Sequence, residues 1–319
     1  GHDLLEPDLD RIADRLELAF ERIPALGTAG IKNIINGPFV FSPDGNPLVG
    51  PVRGLRNYWL ACGVMAGFLQ GGGVGKTLSE WMIHGETEAD AWSMDIARYG
   101  KFTENREYIK QTTGQFYSRR FVMSYPNEQL PAGRDLKRTP VWRDQKEDGA
   151  IFGNSWGLEV PLMFGPNNFK EVPSLRRSNA FEHVKAEHLN VRENVGMLDI
   201  SGFSRFEVSG PGAREWLNHL FSTNIPEKNK SKLAVMLGHD GRLKGDLTCF
   251  NWDDETFWIM GSYYLREWHM RWFEDNLRGN VLVKDISDNN VGFAIAGPKS
   301  RDLLSKLTHQ DVSLSLIHI

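Results

Sequence analysis

Two segments of this sequence follow the same pattern 87 residues apart, and this repeat limits the possible folds more than any other feature. FEVSGPGAREWLNHL covers residues 206–220, and FAIAGPKSRDLLSKL covers residues 293–307. Each begins with an apolar strand-like stretch, turns at a Gly-Pro pair and continues with apolar residues at helical spacing. The repeat therefore predicts two strand-turn-helix units, which is typical of an α+β domain with duplicated halves.

The residues between the two repeat units predict further strands. Four apolar stretches there are separated by polar turns, at 233–237, 247–252, 256–260 and 281–286. A helix is predicted to start near Ser262, with Leu265, Trp268 and Trp272 on one side. We expect these strands to be antiparallel, because short turns join most of them.

The first half of the chain predicts a different organisation. Residues 8–23 carry apolar side chains at steps of three and four, so they predict an amphipathic helix with one face in the core. Pro24 ends this helix. Prolines and glycines then alternate through 31–54, which predicts short strands and tight turns. Residues 57–85 predict a strand, a Gly-rich bend and a helix, whereas residues 95–172 have weak periodicity and indicate an irregular connecting domain.

Composition excludes several classes of function. The 319 residues have a formal net charge of -4, so the basic excess of a nucleic-acid-binding protein is missing. Cys62 and Cys249 are too few for a disulfide framework or a cysteine zinc site, and the nine histidines show no metal-ligand spacing. No apolar run reaches the roughly 20 residues of a membrane span.

The segment GGGVGKT at 71–77 is close to the phosphate-binding loop of nucleotide phosphohydrolases. That motif needs a glycine at position 70, where this chain has Gln70. Nucleotide phosphate binding is therefore the least favoured interpretation. Close packing of a helix against a strand and binding of a different cofactor both remain open.

Asp246 is the candidate acidic residue, directly after the Gly-containing turn in GRLKGDLTCF. An aspartate at a turn usually caps backbone N–H groups, and a catalytic role is the less common alternative. By the same reasoning Arg176 and Arg177 are more often surface cations than ligand clamps.

Longer stretches of the sequence resemble the FAD-dependent dimethylglycine and sarcosine dehydrogenases. INGPFVFSPDGNPLVGPVRG and the residues that follow it to GKTLSEWMIHG resemble the end of the FAD domain of these enzymes. The stretch from ARYGKF through FGNSWGLEVPLMF resembles their central connecting domain. RENVGMLDISGFSRFEVSGPGA and MLGHDGRLKGDLT are similar to the folate-binding domain that they share with the aminomethyltransferase, or T-protein, of the glycine cleavage system.

This resemblance implies an α+β chain of three parts. Residues 1–95 are expected to form the C-terminal part of a D-amino-acid-oxidase-like FAD domain, and 96–172 an irregular central domain. Residues 173–313 are expected to form the N-terminal half of a T-protein-like folate-binding domain with duplicated strand-helix units. Residues 314–319 read as a non-native tail, and we expect the chain to be a fragment, inactive alone, because the upstream dinucleotide fingerprint is missing.

The resemblance also implies two cofactors, FAD and tetrahydrofolate, and no metal. Backbone amides and a helix start are expected to face the flavin carbonyl oxygens in the stretch that comprises Gly63, Val64, Met65, Ala66, Gly67 and Phe68. Positive dipole ends stabilise the negative charge that reduction places there. Asp246 matches the carboxylate beside the folate nitrogen that accepts the one-carbon unit, where it assists proton transfer.

The function implied is demethylation of an N-methylated amino acid, dimethylglycine or sarcosine, with transfer of the one-carbon unit to tetrahydrofolate as 5,10-methylenetetrahydrofolate. The electron acceptor is expected to be an electron-transfer flavoprotein or oxygen. Neither nucleic acid nor membrane is expected as a partner. The expected location is the cytoplasm in a bacterium and the mitochondrial matrix in a eukaryote. A folate-dependent aminomethyltransferase or demethylase with a decayed flavin part, and a non-catalytic folate-binding protein, remain as alternatives.

Overall fold

The computed structural model of the chain describes residues 4–309 and 311–312. Its helices are α1 (Ala13–Arg22), α2 (Gly67–His84), α3 (Arg106–Ser118), α4 (Trp142–Glu147), α5 (Phe181–Glu193), α6 (Ala213–Leu220), α7 (Arg266–Asp275) and α8 (Ser300–Leu307). Its strands are β1 (Leu48–Pro51), β2 (Trp59–Cys62), β3 (Ala150–Ser155), β4 (Leu158–Phe164), β5 (Gly196–Asp199), β6 (Phe203–Ser209), β7 (Lys230–Leu237), β8 (Leu243–Asn251), β9 (Thr256–Ser262), β10 (Leu282–Asp285) and β11 (Phe293–Ala296). The suspected tail at 314–319 lies outside the described residues.

A five-stranded antiparallel sheet in the order β10-β6-β9-β8-β7 carries the main core. One hydrophobic cluster joins this sheet to α6 and α7, and Phe206, Leu217 and Phe273 are fully buried in it. Each such side chain contributes roughly 1.5–3 kcal/mol when it leaves water. The strands predicted between the repeat units are confirmed, and the predicted helix begins at Arg266.

Helix α7 turns a different side to this core than its spacing predicted. Met270 and Phe273 are the buried apolar residues of the helix, while Trp268 and Trp272 are only half-buried. Both tryptophans lie along a cavity described below, and Trp272 also packs against the edge of the core.

Both repeat units have the predicted strand-turn-helix structure. β6 leads through the Gly-Pro turn to α6, and β11 leads through the same turn to α8. The turn glycines, Gly210 and Gly297, have φ angles of 103° and 120°. β6 belongs to the large sheet, whereas β11 pairs with β5 in a separate two-stranded sheet.

The prediction of a Gly-rich bend at 71–77 is wrong, because these residues lie inside α2. The chain turns earlier, between the end of β2 and Gly67, and the helix then continues without a break to His84. Each helical glycine costs up to about 1 kcal/mol relative to alanine, so propensity alone indicated a break.

The structure also refines the predictions for α1 and for the connecting region. α1 is a helix as predicted, but within the described part of the chain none of its residues is buried. The region interpreted as irregular contains α3 and the β3-β4 hairpin. Within residues 4–309 and 311–312, no helix combines the length and apolar character needed to cross a membrane.

Two sets of ion pairs attach the first segment, residues 4–95, to helix α7. The Arg271 guanidinium of α7 lies 2.6 Å from the Asp95 carboxylate, and both side chains are buried. Arg53, after β1, pairs with Glu267 and with Glu274 on the same helix. Helix α7 therefore supplies the partners in both sets of ion pairs.

Candidate functional site

The turn between β2 and α2 forms an exposed helix N-terminus. Gly63 has a φ of 63°, which allows the chain to reverse direction there. Ala66 precedes α2 without capping it through a side chain. In the described part of the chain, the amides of Gly67 and Phe68 donate no hydrogen bond, and the Phe68 side chain is fully exposed. These amides lie at the positive end of the helix dipole, where they suit a negative or carbonyl oxygen.

The glycines of α2 leave its backbone accessible to a closely packed neighbour. An added Cβ would meet nothing within 4 Å at the glycines of its first turns, which are Gly67, Gly71, Gly72, Gly73 and Gly75. Another surface can therefore approach the backbone of α2 more closely than an ordinary helix allows. This arrangement supports the packing and cofactor interpretations of the glycines over the phosphate-loop interpretation.

Asp246 lies on β8, on the face of the strand that points away from the core. Its neighbours in sequence, Gly245 and Leu247, are buried, while Asp246 itself is exposed and lies opposite Val235 of β7. Among residues 4–309 and 311–312, its carboxylate has no hydrogen-bond or salt-bridge partner. The capping role is instead filled by Asp240, whose Oδ1 accepts a hydrogen bond from the Arg242 amide at 2.9 Å.

The strand is irregular immediately before Asp246. Met236 pairs with Gly245, but the next residue of β7, Leu237, pairs with Leu243, so Lys244 is an extra residue in β8. Such a β-bulge releases backbone groups from the ladder and redirects the following side chain. The Lys244 carbonyl oxygen lies 3.2 Å from Nε2 of His269 in α7.

Sequence reasoning missed His269, which is 1% exposed. Burial lowers its pKa to about 4, although the hydrogen bond to Lys244 and the charge of Asp246 act in the opposite direction. A single histidine in a helix has no spacing signal, since its partner is a backbone carbonyl. The one indirect signal is Gly245, because a Cβ there would lie 2.9 Å from Nε2.

A cavity of about 1060 Å³ lies between the first segment and the five-stranded sheet. Five tryptophans contribute to its wall, namely Trp59, Trp81, Trp92, Trp268 and Trp272. Lys244 lines it as well, with its Nζ 3.5 Å from Glu86 and 5.2 Å from the Trp272 ring centroid. Neither the 63–68 stretch nor Asp246 lines this cavity, so the described residues do not bring the two predicted sites into one pocket.

The other candidates have ordinary surroundings. The Arg177 guanidinium lies 4.2 Å from the ring centroid of Phe181, as expected of a surface cation. The described residues contain no group of three or more histidine, cysteine, aspartate or glutamate side chains that suits a metal ion.

Comparison with known protein families accounts for almost the whole chain. The FAD dependent oxidoreductase model matches residues 1–81, the FAD dependent oxidoreductase central domain model matches 84–139, and the GCVT N-terminal domain model matches 141–318. The chain therefore belongs to the family of FAD-dependent oxidoreductases with a GCVT domain that includes dimethylglycine and sarcosine dehydrogenases. The resemblance and the fold class stated above are confirmed, while the exact domain bounds and the site residues stay predictions.

Three relatives illustrate the similarity. Mitochondrial dimethylglycine dehydrogenase of Mus musculus is 37% identical over 98% of this chain and 36% of its own length. 4-Methylaminobutanoate oxidase (formaldehyde-forming) of Paenarthrobacter nicotinovorans is 31% identical over 91% of this chain and 36% of its own length. Mitochondrial sarcosine dehydrogenase of Mus musculus is 26% identical over 97% of this chain and 39% of its own length. The chain thus spans little more than a third of these relatives.

Proposed function

We propose that this chain is part of an FAD-dependent oxidoreductase that demethylates an N-methylated glycine and passes the one-carbon unit to tetrahydrofolate. The observation that carries the proposal is the alignment of 98% of the chain with dimethylglycine dehydrogenase, through the flavin-type and GCVT-type segments in one sequence. Because the flavin-type segment precedes the GCVT-type segment in one sequence, an aminomethyltransferase without a flavin part is disfavoured. The product would be 5,10-methylenetetrahydrofolate.

The residues from Gly63 to Phe68 fit the pyrimidine side of a flavin. The unpartnered amides of Gly67 and Phe68 would donate to flavin carbonyl oxygens, and the dipole of α2 would stabilise negative charge there. Bound FAD would supply the acceptor for the hydride that leaves the N-methyl carbon. The chain's own contribution is to bind and orient that group through backbone amides.

Asp246 would act in the second half of the reaction. Its carboxylate is exposed and has no partner in the described part of the chain, so it can stabilise a cationic folate nitrogen and accept a proton from it. Without this step, water would hydrolyse the oxidised substrate and release formaldehyde. The bacterial relative is named formaldehyde-forming, so the fate of the one-carbon unit is the point to test.

The test compares Asp246→Ala with the unchanged full-length protein of which this chain is a part. Dimethylglycine or sarcosine is expected to bleach the flavin absorbance equally in both proteins, because hydride removal does not involve Asp246. With tetrahydrofolate present, the variant is expected to lose at least about 90% of the methylenetetrahydrofolate yield and to release formaldehyde, within the usual range for a lost acid-base group.

Asp240→Ala is the matched control, since Asp240 is an exposed aspartate six residues earlier that caps the turn. Its methylenetetrahydrofolate yield is expected to equal that of the unchanged protein. Absence of bleaching with every N-methylated amine would disprove the oxidoreductase function. An unchanged yield in Asp246→Ala would disprove the role of Asp246 alone.

The acceptor and the location follow from the same proposal. We infer that the reduced flavin passes its electrons to an electron-transfer flavoprotein or to oxygen, and reoxidation in air-saturated buffer distinguishes the two.

Since the mouse relatives are named mitochondrial, we infer the mitochondrial matrix for a eukaryotic source and the cytoplasm for a bacterial one. Cell fractionation checks this inference.

A further inference from the structure

On the core side of β8, the His269 side chain contacts the β-bulge before Asp246. Lys244 is the extra residue of the bulge, and its carbonyl oxygen lies 3.2 Å from Nε2 of His269. A carbonyl oxygen can only accept, so Nε2 carries the hydrogen and donates it. A neutral ring then leaves Nδ1 as an acceptor, and this atom has no partner in the described part of the chain although it is buried.

The sequence of β8 leaves room for this ring. Gly245 follows the bulge, and a Cβ there would lie 2.9 Å from Nε2. On the adjacent strand, the space beside Gly261 is taken by Leu247, whose Cδ2 would lie 2.4 Å from an added Cβ, and the ring is only in ordinary contact there. The ring of His269 therefore fills a recess that Gly245 leaves open, against the backbone on the far side of β8 from Asp246.

A purely apolar side chain would fill this recess at lower cost. The ring is surrounded by Phe206, Trp268 and Phe273, with centroids between 5.5 and 6.4 Å away. In such surroundings an unpartnered ring nitrogen costs free energy, so packing does not explain a histidine here. The hydrogen bond to the bulge does explain it.

We propose that His269 is a positioning residue for the one-carbon transfer, because it fixes the bulge that directs the Asp246 carboxylate. This inference rests on the role proposed for Asp246. The proposed role requires no contact of His269 with substrate or with folate. Its effect is to hold the Lys244–Asp246 backbone, so that a small shift of β8 does not move the carboxylate away from its target.

The experiment uses the full-length protein with His269→Leu and His269→Gln. Leucine is close to histidine in volume but has no donor, whereas the glutamine amide can place its nitrogen near the position of Nε2. For His269→Leu, we expect unchanged flavin bleaching by dimethylglycine and a transfer rate to tetrahydrofolate that is about tenfold lower, with formaldehyde released instead. The KM for tetrahydrofolate is expected to change by less than about twofold, since only the carboxylate position changes. His269→Gln is expected to restore most of the transfer.

Met270→Leu is the structural control, because Met270 is the next residue of α7, is also buried in the core, and has no hydrogen-bond donor to offer the bulge. An equal loss of transfer in Met270→Leu would overturn the inference, as would normal transfer in His269→Leu. If His269→Leu does not fold, Gly245→Ala tests the same contact from the strand side and is expected to show the same loss. Asp246→Ala separates the role of Asp246 from the positioning role of His269. If Asp246→Ala keeps its transfer to tetrahydrofolate, the role of Asp246 is disproved. If only His269→Leu shows normal transfer, the positioning role alone is overturned.

Discussion

His269 makes the stability of this chain depend on pH in a predictable direction. Burial lowers its pKa from 6.5 to about 4, so between these values the unfolded chain binds a proton that the folded chain does not. Stability therefore rises with pH across this window and falls as the pH drops from about 6.5 to about 4, by roughly 3 kcal/mol in total. We expect the midpoint of urea unfolding to fall between about pH 7 and about pH 5 in the unchanged chain, and to fall less in His269→Leu.

Ionisation of Asp44 does not confuse this measurement. Burial opposes ionisation of Asp44, but its hydrogen bond and ion pair with Arg98 lower its pKa below the usual 3.8, so its contribution is lost only under more acidic conditions. Equal loss of stability in the unchanged chain and in His269→Leu would show that His269 does not carry the effect.

At the scale of single residues, the sequence was informative where a residue belongs to a recognisable motif. Asp246 follows a turn with a characteristic pattern, and the resemblance identified it. His269 was missed because its function depends on the carbonyl of Lys244, which is free only because of a bulge. An insertion of one residue in a strand pair depends on the partner strand, so the sequence of β8 alone does not reveal it.

At the scale of elements, the repeat was the most reliable prediction because its turn is chemically specific. Gly210 and Gly297 have positive φ angles, and a Cβ at either would lie within 2.6 Å of a backbone carbonyl oxygen, that of Asn280 or that of Asn194. The Gly-rich start of α2 was predicted wrongly, because glycine usually interrupts a helix. A neighbour that approaches closely would explain five glycines there, but the local sequence does not contain that neighbour.

The turn between β6 and α6 offers a matched pair of glycines for a test. Gly210 and Gly212 have φ angles of 103° and 86°, so alanine is strained at both positions. A Cβ at Gly210 would lie 2.6 Å from the Asn280 carbonyl oxygen, whereas a Cβ at Gly212 would meet nothing within 4 Å. We expect Gly210→Ala to lower the free energy of unfolding by roughly 1–3 kcal/mol more than Gly212→Ala, as measured by urea unfolding. Equal effects would mean that the contact with Asn280 is not limiting.

At the scale of the whole molecule, the described residues contain one well-covered core and several uncovered surfaces. The five-stranded sheet has a dense core with α6 and α7, and the Arg271–Asp95 pair joins it to the first segment. By contrast α1 has no buried residue, and α2 has only Val74. The amphipathic pattern of α1 predicted a helix, which the structure confirms, and a core face, which the described residues do not show.

If the chain is part of a longer oxidoreductase, as proposed, these uncovered surfaces become interior surfaces in the full-length protein. Hydrogen–deuterium exchange tests this expectation on α1, α2 and β9. In the 319-residue chain we expect fast exchange in α1 and in the first turns of α2, and slow exchange in β9, whose Phe257 and Ile259 are fully buried. In the full-length protein, exchange in α1 and α2 is expected to slow by about tenfold or more while β9 stays the same, because local opening then requires separating packed surfaces. Identical exchange of α1 in the two proteins would show that it remains a surface helix, and the flavin-domain packing inferred for it would be wrong.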